Sequence, residues 1–127
     1  MVHKSLFSSA TDEWETPQDY FDRLDSIYEF DFDLACSKEN CKTADGFTLE
    51  ENSLDQNWAQ ITYDMLPLND KGWLWLNPPY SKITEFVDKA WSEFAHGARI
   101  VMLVPARTDT KWFHTFIYNP NNYKIKP

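Results

Sequence analysis

Two short apolar runs separated by an amphipathic segment constrain the fold of this chain more than any other feature. The first run, Trp73–Leu76, is followed by Asn-Pro-Pro at 77–79, and proline cannot continue a strand ladder. The second run, 100–104, is continuously apolar, which is typical of a parallel strand covered on both faces. Between them, apolar residues in 83–94 recur at helical spacing. The unit is long enough for a parallel strand–helix–strand crossover, so the pattern predicts an α/β protein.

An earlier helix and strand are predicted ahead of this unit. Thr16-Pro17-Gln18-Asp19 indicates a helix start, with Thr16 as the capping residue, Pro17 in the first helical position and Asp19 completing a capping box. Apolar residues within 20–28 then fall on one helical stripe: Tyr20, Phe21, Leu24, Ile27 and Tyr28. Alternating phenylalanine and aspartate residues predict a half-buried strand over 30–34.

The remaining segments give weaker signals. The stretch 37–60 is polar with little regularity, apart from a possible short strand at 46–48. A last helix is predicted over 108–117. Residues 1–13 are predicted to be a flexible arm and 119–127 an irregular tail. The length of 127 residues favours a single domain over 1–127, with a small, mostly parallel sheet of four or five strands.

Glycine content and charge exclude several functions. The chain has only three glycines, spaced too widely for a P-loop or a GxGxxG dinucleotide turn. The formal net charge of −8 argues against a simple nucleic-acid binder. However, residues 71–127 carry 8 basic and 4 acidic groups, so a DNA-facing surface could lie on the C-terminal half, and two solvated faces of opposite sign are equally compatible with this pattern.

The cysteines and the hydropathy pattern indicate an ordinary intracellular protein. Cys36 and Cys41 do not make a disulfide scaffold, and reduced thiols are expected. A zinc site needs more ligands than this pair, so no metal is predicted. No apolar run reaches the roughly 18 residues of a membrane span, and the predicted location is the cytoplasm.

Asn77-Pro78-Pro79-Tyr80 carries the clearest chemistry. An exocyclic ring amine is a poor nucleophile because its lone pair is delocalised into the ring. The side-chain carbonyl of Asn77 and the backbone carbonyl of Pro78, aimed at the two amine hydrogens, would favour a pyramidal nitrogen with a localised lone pair. The two prolines stiffen the backbone and preorganise these acceptors. Tyr80 offers a ring face on which a flipped base can stack.

Four ordered segments together resemble one family. They are Asp12-Glu13-Trp14-Glu15-Thr16-Pro17, Phe30-Asp31-Phe32-Asp33-Leu34-Ala35-Cys36-Ser37, Asn77-Pro78-Pro79-Tyr80 and the segment from Val104 to His114. Over about residues 8–118 the chain resembles the phage-type DNA N-6-adenine methyltransferases, the Dam-like family of phages and prophages. The resemblance implies a Rossmann-like methyltransferase fold, S-adenosylmethionine as methyl donor, and adenine in duplex DNA as target.

The resemblance also implies roles for individual residues. The segment of Trp14, Thr16 and Pro17 is expected to pack beside the cofactor. Strand 30–34 resembles the first cofactor-binding strand, and its end supplies four expected cofactor contacts: Asp31, Asp33, Ala35 and Ser37. An acidic residue among Glu50, Glu51 and Asp55 could also reach the cofactor, although the pattern favours a solvated charge run. In the basic half, Lys82 and Arg107 are expected to contact DNA phosphates.

Two other functions stay open at this point. The Asn-Pro-Pro-Tyr motif also serves methylation of protein glutamine, whose amide poses the same nucleophile problem. A shortened, non-catalytic relative that binds DNA or a protein is the second alternative. Members of the family usually continue with further strands after the Trp-Phe-His helix, whereas this chain ends at Pro127. The open sheet edge expected there predicts self-association.

Overall fold

A computed structural model describes residues 16–104 of the chain. In this range the helices are α1 (Gln18–Tyr28), α2 (Trp58–Asn69) and α3 (Ile83–Ala95), and the strands are β1 (Phe32–Asp33), β2 (Trp73–Leu76) and β3 (Arg99–Met102). Short 3-10 turns occupy Ser53–Asp55 and Tyr80–Lys82. The predicted positions of Trp14, Arg107, the arm at 1–13, the helix at 108–117 and the tail at 119–127 lie outside the described residues.

The described strands form one open parallel sheet in the order β1-β2-β3. This confirms a mixed α/β chain with a parallel crossover through α3. The described part holds three strands, against the four or five expected for the whole chain. The possible strand at 46–48 is reduced to one parallel bridge between Asp33 and Gly46. The side chains of β3 are half-buried rather than buried on both faces, because β3 lies at the end of this strand order.

Successive side chains of β2 enter two different cores. Leu74 and Leu76 pack with Trp58 of α2 and Phe86 of α3 on one face of the sheet. On the other face Trp75 packs with a second cluster formed by Phe21, Phe30 and Leu103. This alternation is the period of two expected of a strand covered on both sides. The central strand therefore supplies fully buried side chains to both cores, whereas β3 adds partly buried ones, Ile100 and Met102 to the first core and Val101 to the second.

Helix α2 was not predicted, although its signals are present in the sequence. It begins after Asn57, whose side chain accepts a hydrogen bond from the backbone N–H of Gln60 at 3.1 Å. Trp58, Ala59 and Thr62 are buried on the face toward the sheet. The polar loop before Asn57 and the proline inside the last turn obscured the helical spacing of these buried residues. Packing against α3 and β2 stabilises the helix despite that proline.

The predicted start of α1 is wrong in detail. Pro17 is the N-cap residue rather than the first helical residue, and no side chain caps the helix. Thr16 is buried, and its hydroxyl accepts a hydrogen bond from the side chain of Asn77 instead. Phe21 is buried as the stripe predicts, but Ile27 is 69% exposed. In the range 16–104, no helix is both long and apolar enough to cross a membrane.

The buried hydroxyl of Thr62 connects β2 to β3 at their amino ends. It donates to the backbone carbonyl of Gly72 at 2.8 Å and accepts from the N–H of Arg99 at 3.2 Å. Replacing Thr62 by valine keeps the shape but leaves both backbone groups without this partner. We expect Thr62→Val to lower the free energy of unfolding by about 1–3 kcal/mol.

Urea denaturation measures this change, with Thr62→Ser as the matched control. Serine keeps the hydroxyl and removes only a methyl group, which costs about 0.8 kcal/mol. If the valine variant were as stable as the wild-type protein, the hydroxyl would contribute nothing to the free energy of unfolding.

Candidate active site

A cleft opens at the carboxyl ends of β1 and β2. These ends lie at the same edge because the two strands are parallel. The cleft is open to solvent and has a cavity volume of about 110 Å³. Ligands of α/β proteins bind outside the carboxyl ends of strands. The side chains that line it come from the start of α1, the strand ends and the loop after β1: Thr16, Asp33, Ala35, Cys36, Ser37, Asn40, Lys42, Phe47, Thr48, Leu49, Asn52, Ser53, Leu54, Trp75, Asn77, Pro78, Pro79, Lys82 and Phe86.

Asp33 is the buried acid of this cleft, with 2% of its surface exposed. One carboxylate oxygen accepts from the backbone N–H of Ala35 at 3.1 Å and the other from that of Lys42 at 3.0 Å. Burial raises the pKa of Asp33 from 3.8 to about 6, against the lowering effect of these two hydrogen bonds and of the Lys42 charge. Asp33 thus holds the loop that forms one wall, and it keeps further lone pairs for a ligand.

Asn77 and Thr16 bring distant parts of the chain together in the cleft. The side-chain nitrogen of Asn77 donates to the hydroxyl of Thr16 at 3.1 Å, across 61 positions of sequence. Asn77 directly follows β2, and Thr16 directly precedes the cap of α1. Pro78 is buried behind Asn77, so the turn that ends β2 is packed rather than loose.

The loop after β1 is closed by a disulfide between Cys36 and Cys41, five positions apart. The expectation of reduced cysteines is therefore wrong for this structure. Gly46 lies close against this disulfide: a Cβ added at Gly46 would lie 2.3 Å from the sulfur of Cys41 and 2.8 Å from the carbonyl oxygen of Asp33. Only glycine leaves room for this close approach, which places residue 47 against the strand end.

The structure gathers most of the predicted site residues but not all of them. Eight line the cleft: Thr16, Asp33, Ala35, Ser37, Asn77, Pro78, Pro79 and Lys82. Pro17 and Tyr80 flank it without lining it, Pro17 as the cap of α1 and Tyr80 at the start of the turn before α3.

Asp31 lies at the opposite end of the strands. Its carboxylate accepts from the N–H of Gly72 and from the side chain of Asn69, both at 2.9 Å. These partners stand at the amino end of β2. The expected cofactor contact of Asp31 is not supported by this geometry, because a strand carries its two ends to different edges of the sheet.

None of the three acidic residues of the following loop, Glu50, Glu51 and Asp55, lines the cleft. Glu50 pairs with Lys38 at 3.6 Å, and Asp55 accepts from the side chain of Asn52 at 2.7 Å. Hydrogen bonds from the backbone N–H and the hydroxyl of Thr48 hold the pKa of Glu51 below its usual value. Their partners favour the interpretation of a solvated, locally bonded charge run.

Sequence reasoning missed the residues that complete the cleft wall. Asn40, Asn52 and Ser53 add polar groups, and Leu49 adds an apolar side chain that is 81% exposed. They belong to the stretch that was interpreted as irregular. The only signal in the sequence was the mixture of short polar residues with isolated Phe47, Leu49 and Leu54, which is typical of a binding loop as much as of a surface loop.

The geometry of the cleft indicates a class of protein. A parallel α/β sheet with an Asn-Pro-Pro-Tyr turn after one strand, a buried acid at the end of the neighbouring strand, and one cleft between them is the site expected of an amine methyltransferase. The model of the family described as DNA N-6-adenine-methyltransferase (Dam) matches residues 4–123. The chain belongs to this family.

Two curated relatives carry the same family description. The DNA N-6-adenine-methyltransferase of Escherichia phage T1 is 35% identical over 106 residues, covering 83% of this chain and 40% of the relative. That of Haemophilus phage HP1 (strain HP1c1) is 33% identical over 122 residues, covering 94% of this chain and 64% of the relative. This chain thus spans less than two thirds of the length of either relative. No solved structure matches it significantly.

The titration of Asp33 makes the stability of the protein depend on pH. Its pKa in the folded chain, about 6, lies above the ordinary 3.8, so the folded state holds this proton more tightly than the unfolded state. The resulting stabilisation is present below about pH 4 and is lost as the pH rises through 6. Relative to Asp33→Asn, which cannot titrate, the native protein should lose up to about 3 kcal/mol between pH 4 and 7.

Urea denaturation of both proteins at several pH values measures this difference. The asparagine variant shares every other titrating group, so their effects cancel in the comparison. Parallel pH profiles for the two proteins would show that Asp33 titrates normally.

Proposed function

We propose that this protein transfers a methyl group from S-adenosylmethionine to the N6 amine of adenine in DNA. One observation carries the proposal: the Asn77-Pro78-Pro79 turn and the buried carboxylate of Asp33, which follow neighbouring parallel strands, line the same cleft. The cleft thus holds two carbonyl oxygens that can accept from an amine, those of Asn77 and Pro78, and the carboxylate of Asp33, which can bind a cationic ligand. The family of the chain and the printed activity of its two relatives support the same chemistry.

The residues of the cleft fit the cofactor. S-adenosylmethionine supplies an electrophilic methyl group together with an ammonium, a carboxylate and an adenosine. Asp33 can accept from the ammonium, since each carboxylate oxygen has a second lone pair beyond its backbone bond. Ala35 and Ser37 line the approach to it with small side chains. Phe47, Leu49 and Leu54 provide the apolar surface that an adenine ring needs.

The residues after β2 act on the target amine. Asn77 and Pro78 offer two carbonyl oxygens on a turn that Pro79 stiffens, so they need no reorganisation when the amine arrives. No charged base is required, because the proton can leave after the methyl group has been transferred. Tyr80, at the start of the next turn, is the stacking surface for a flipped base.

The DNA would approach from the side of α3. Lys82 is exposed, lines the cleft and stands at the start of this helix. We propose that Lys82, together with Arg107 of the basic half, contacts phosphates.

We further infer that residues 1–127 form one Rossmann-like domain of four or five strands that acts in the cytoplasm of the host cell. Trp14 belongs in the proposed site as a neighbour of the cofactor. Self-association stays a prediction. The sheet of residues 16–104 ends at β3, so a fourth strand of this chain or the edge of a second copy could pair there.

Substituting Asn77 tests the proposed chemistry. Asn77→Ala removes one preorganised acceptor, and methyl transfer should fall by about a hundredfold or more, by analogy with the loss of one oxyanion-hole donor. Binding of S-adenosylhomocysteine should stay nearly unchanged, because Asn77 acts on the amine. The assay is tritium transfer from labelled cofactor to unmethylated duplex DNA, followed by nucleoside analysis for N6-methyladenine.

Measurements on the wild-type protein distinguish DNA methylation from the two alternatives, methylation of protein glutamine and a non-catalytic binding role. Label in protein glutamine instead of DNA would assign the glutamine methyltransferase activity. Failure to bind S-adenosylmethionine in calorimetry would assign the non-catalytic role. Full activity of Asn77→Ala would refute the mechanism while leaving the substrate assignment intact.

Salt dependence tests the proposed DNA surface. Each phosphate contact contributes about one unit to the slope of log K against log salt concentration, so Lys82→Ala should lower that slope by about one. Lys71→Ala is the matched control, because Lys71 pairs with Glu29 at the opposite edge of the sheet. Equal slopes for both variants would show that Lys82 does not contact DNA phosphates and that the DNA-binding surface does not lie beside α3.

A further inference from the structure

Thr16 makes a contact that neither a helix cap nor a cofactor ligand requires. Its side chain does not cap α1, and only 2% of its surface is exposed. Its hydroxyl oxygen accepts from the side-chain nitrogen of Asn77 at 3.1 Å. We propose that Thr16 is a positioning residue that orients the amide of Asn77 for the transfer reaction, an inference that rests on the proposed function.

The orientation of this amide decides whether Asn77 can act at all. An asparagine side chain presents an acceptor oxygen on one side and a donor NH₂ on the other. The target amine brings N–H donors, so it needs the oxygen. A rotation of the amide by half a turn would set donor against donor. Because Thr16 receives the nitrogen, the oxygen of Asn77 is presented on the other side of the amide.

The position of Thr16 is itself held by the fold. Thr16 precedes Pro17, whose carbonyl accepts from the N–H of Phe21 at 3.1 Å in the first turn of α1. Phe21 packs edge-on against Trp75, with ring centroids 5.2 Å apart. Trp75 lies two positions before Asn77 in the same chain segment. Thr16 and Asn77 are thus joined both directly and through a buried aromatic contact, as a preorganised pair requires.

Burial of Thr16 makes the hydroxyl difficult to replace. At an exposed position, water could take over the hydrogen bond of the asparagine nitrogen. Thr16 is 2% exposed, and a valine of the same shape would leave no room for water in place of the hydroxyl, so Thr16→Val removes the partner that favours one orientation of the amide. Loss of the Thr16 hydroxyl should therefore lower kcat. Loss of a residue that only binds the cofactor would instead raise the Kd of the cofactor.

The experiment compares three variants of the full chain. Thr16→Val keeps the shape without the hydroxyl, Thr16→Ala removes the hydroxyl without risk of overpacking, and Thr16→Ser restores it. Valine and alanine should each lower kcat for DNA methylation about tenfold, the effect of about one hydrogen bond. Serine should stay within about threefold of wild type, and the Kd of S-adenosylhomocysteine should change less than about twofold in all three.

A second measurement needs no turnover. The side-chain NH₂ signals of Asn77 are assigned in an amide NMR spectrum as those missing from Asn77→Ala. They should shift in Thr16→Val and Thr16→Ala and return toward their wild-type position in Thr16→Ser. Melting temperatures show which variants are folded, and either folded variant without the hydroxyl suffices.

The outcomes separate this inference from the proposed function. Wild-type protein without any methyl transfer to DNA would overturn the proposed function, and the positioning role with it. An active wild type with equally active Thr16→Val would overturn the positioning role alone. Weaker cofactor binding at unchanged kcat would assign Thr16 to the cofactor instead.

Discussion

Strand β2 hydrogen-bonds to a parallel neighbour on each side, and the rest of the described structure depends on this double pairing. The pairing continues past the strands themselves, since Leu34 N–H donates to the Trp75 carbonyl and Leu103 N–H to that of Leu76, both at 2.8 Å. Parallel pairing brings the carboxyl ends of the strands to one edge. The prolines after Asn77 then prevent any continuation, so the chain leaves the sheet there. The cleft occupies the space that this departure opens.

The acid beside this strand end combines a structural and a chemical role. Burial of Asp33 raises its pKa, which means that its charged form is disfavoured. Two backbone N–H groups of the following loop donate hydrogen bonds to the carboxylate. The same loop supplies most of the cleft wall. A neutral residue would relieve the burial cost but would leave at least one of those N–H groups without an acceptor and the site without a charge. Buried ionisable groups that lower the stability of the folded state are typical of functional sites.

The helices connect the cleft to the two cores. Glu93 of α3 accepts from the N–H of Ala59 at the start of α2 at 2.9 Å, and Lys89 lies over the ring of Trp58 at 5.1 Å. These contacts couple α2 to α3 beneath the loop wall. On the other face, α1 rests on Trp75 and delivers Thr16 to Asn77. Both walls of the cleft are therefore held by elements packed on β2.

The amino-acid sequence alone determined the features that depend on neighbouring residues. The apolar run of β2, its stop at Asn77-Pro78-Pro79 and the amphipathic period of α3 all follow from residues a few positions apart, and the structure agrees with them. The tertiary structure decided what depends on residues far apart in the chain. It placed the hydroxyl of Thr16 against Asn77 rather than at a helix cap, and it bound the carboxylate of Asp31 to Gly72, away from the cleft that Asp33 lines. Local patterns cannot specify such contacts, because their energy comes from partners that only the folded chain brings within reach.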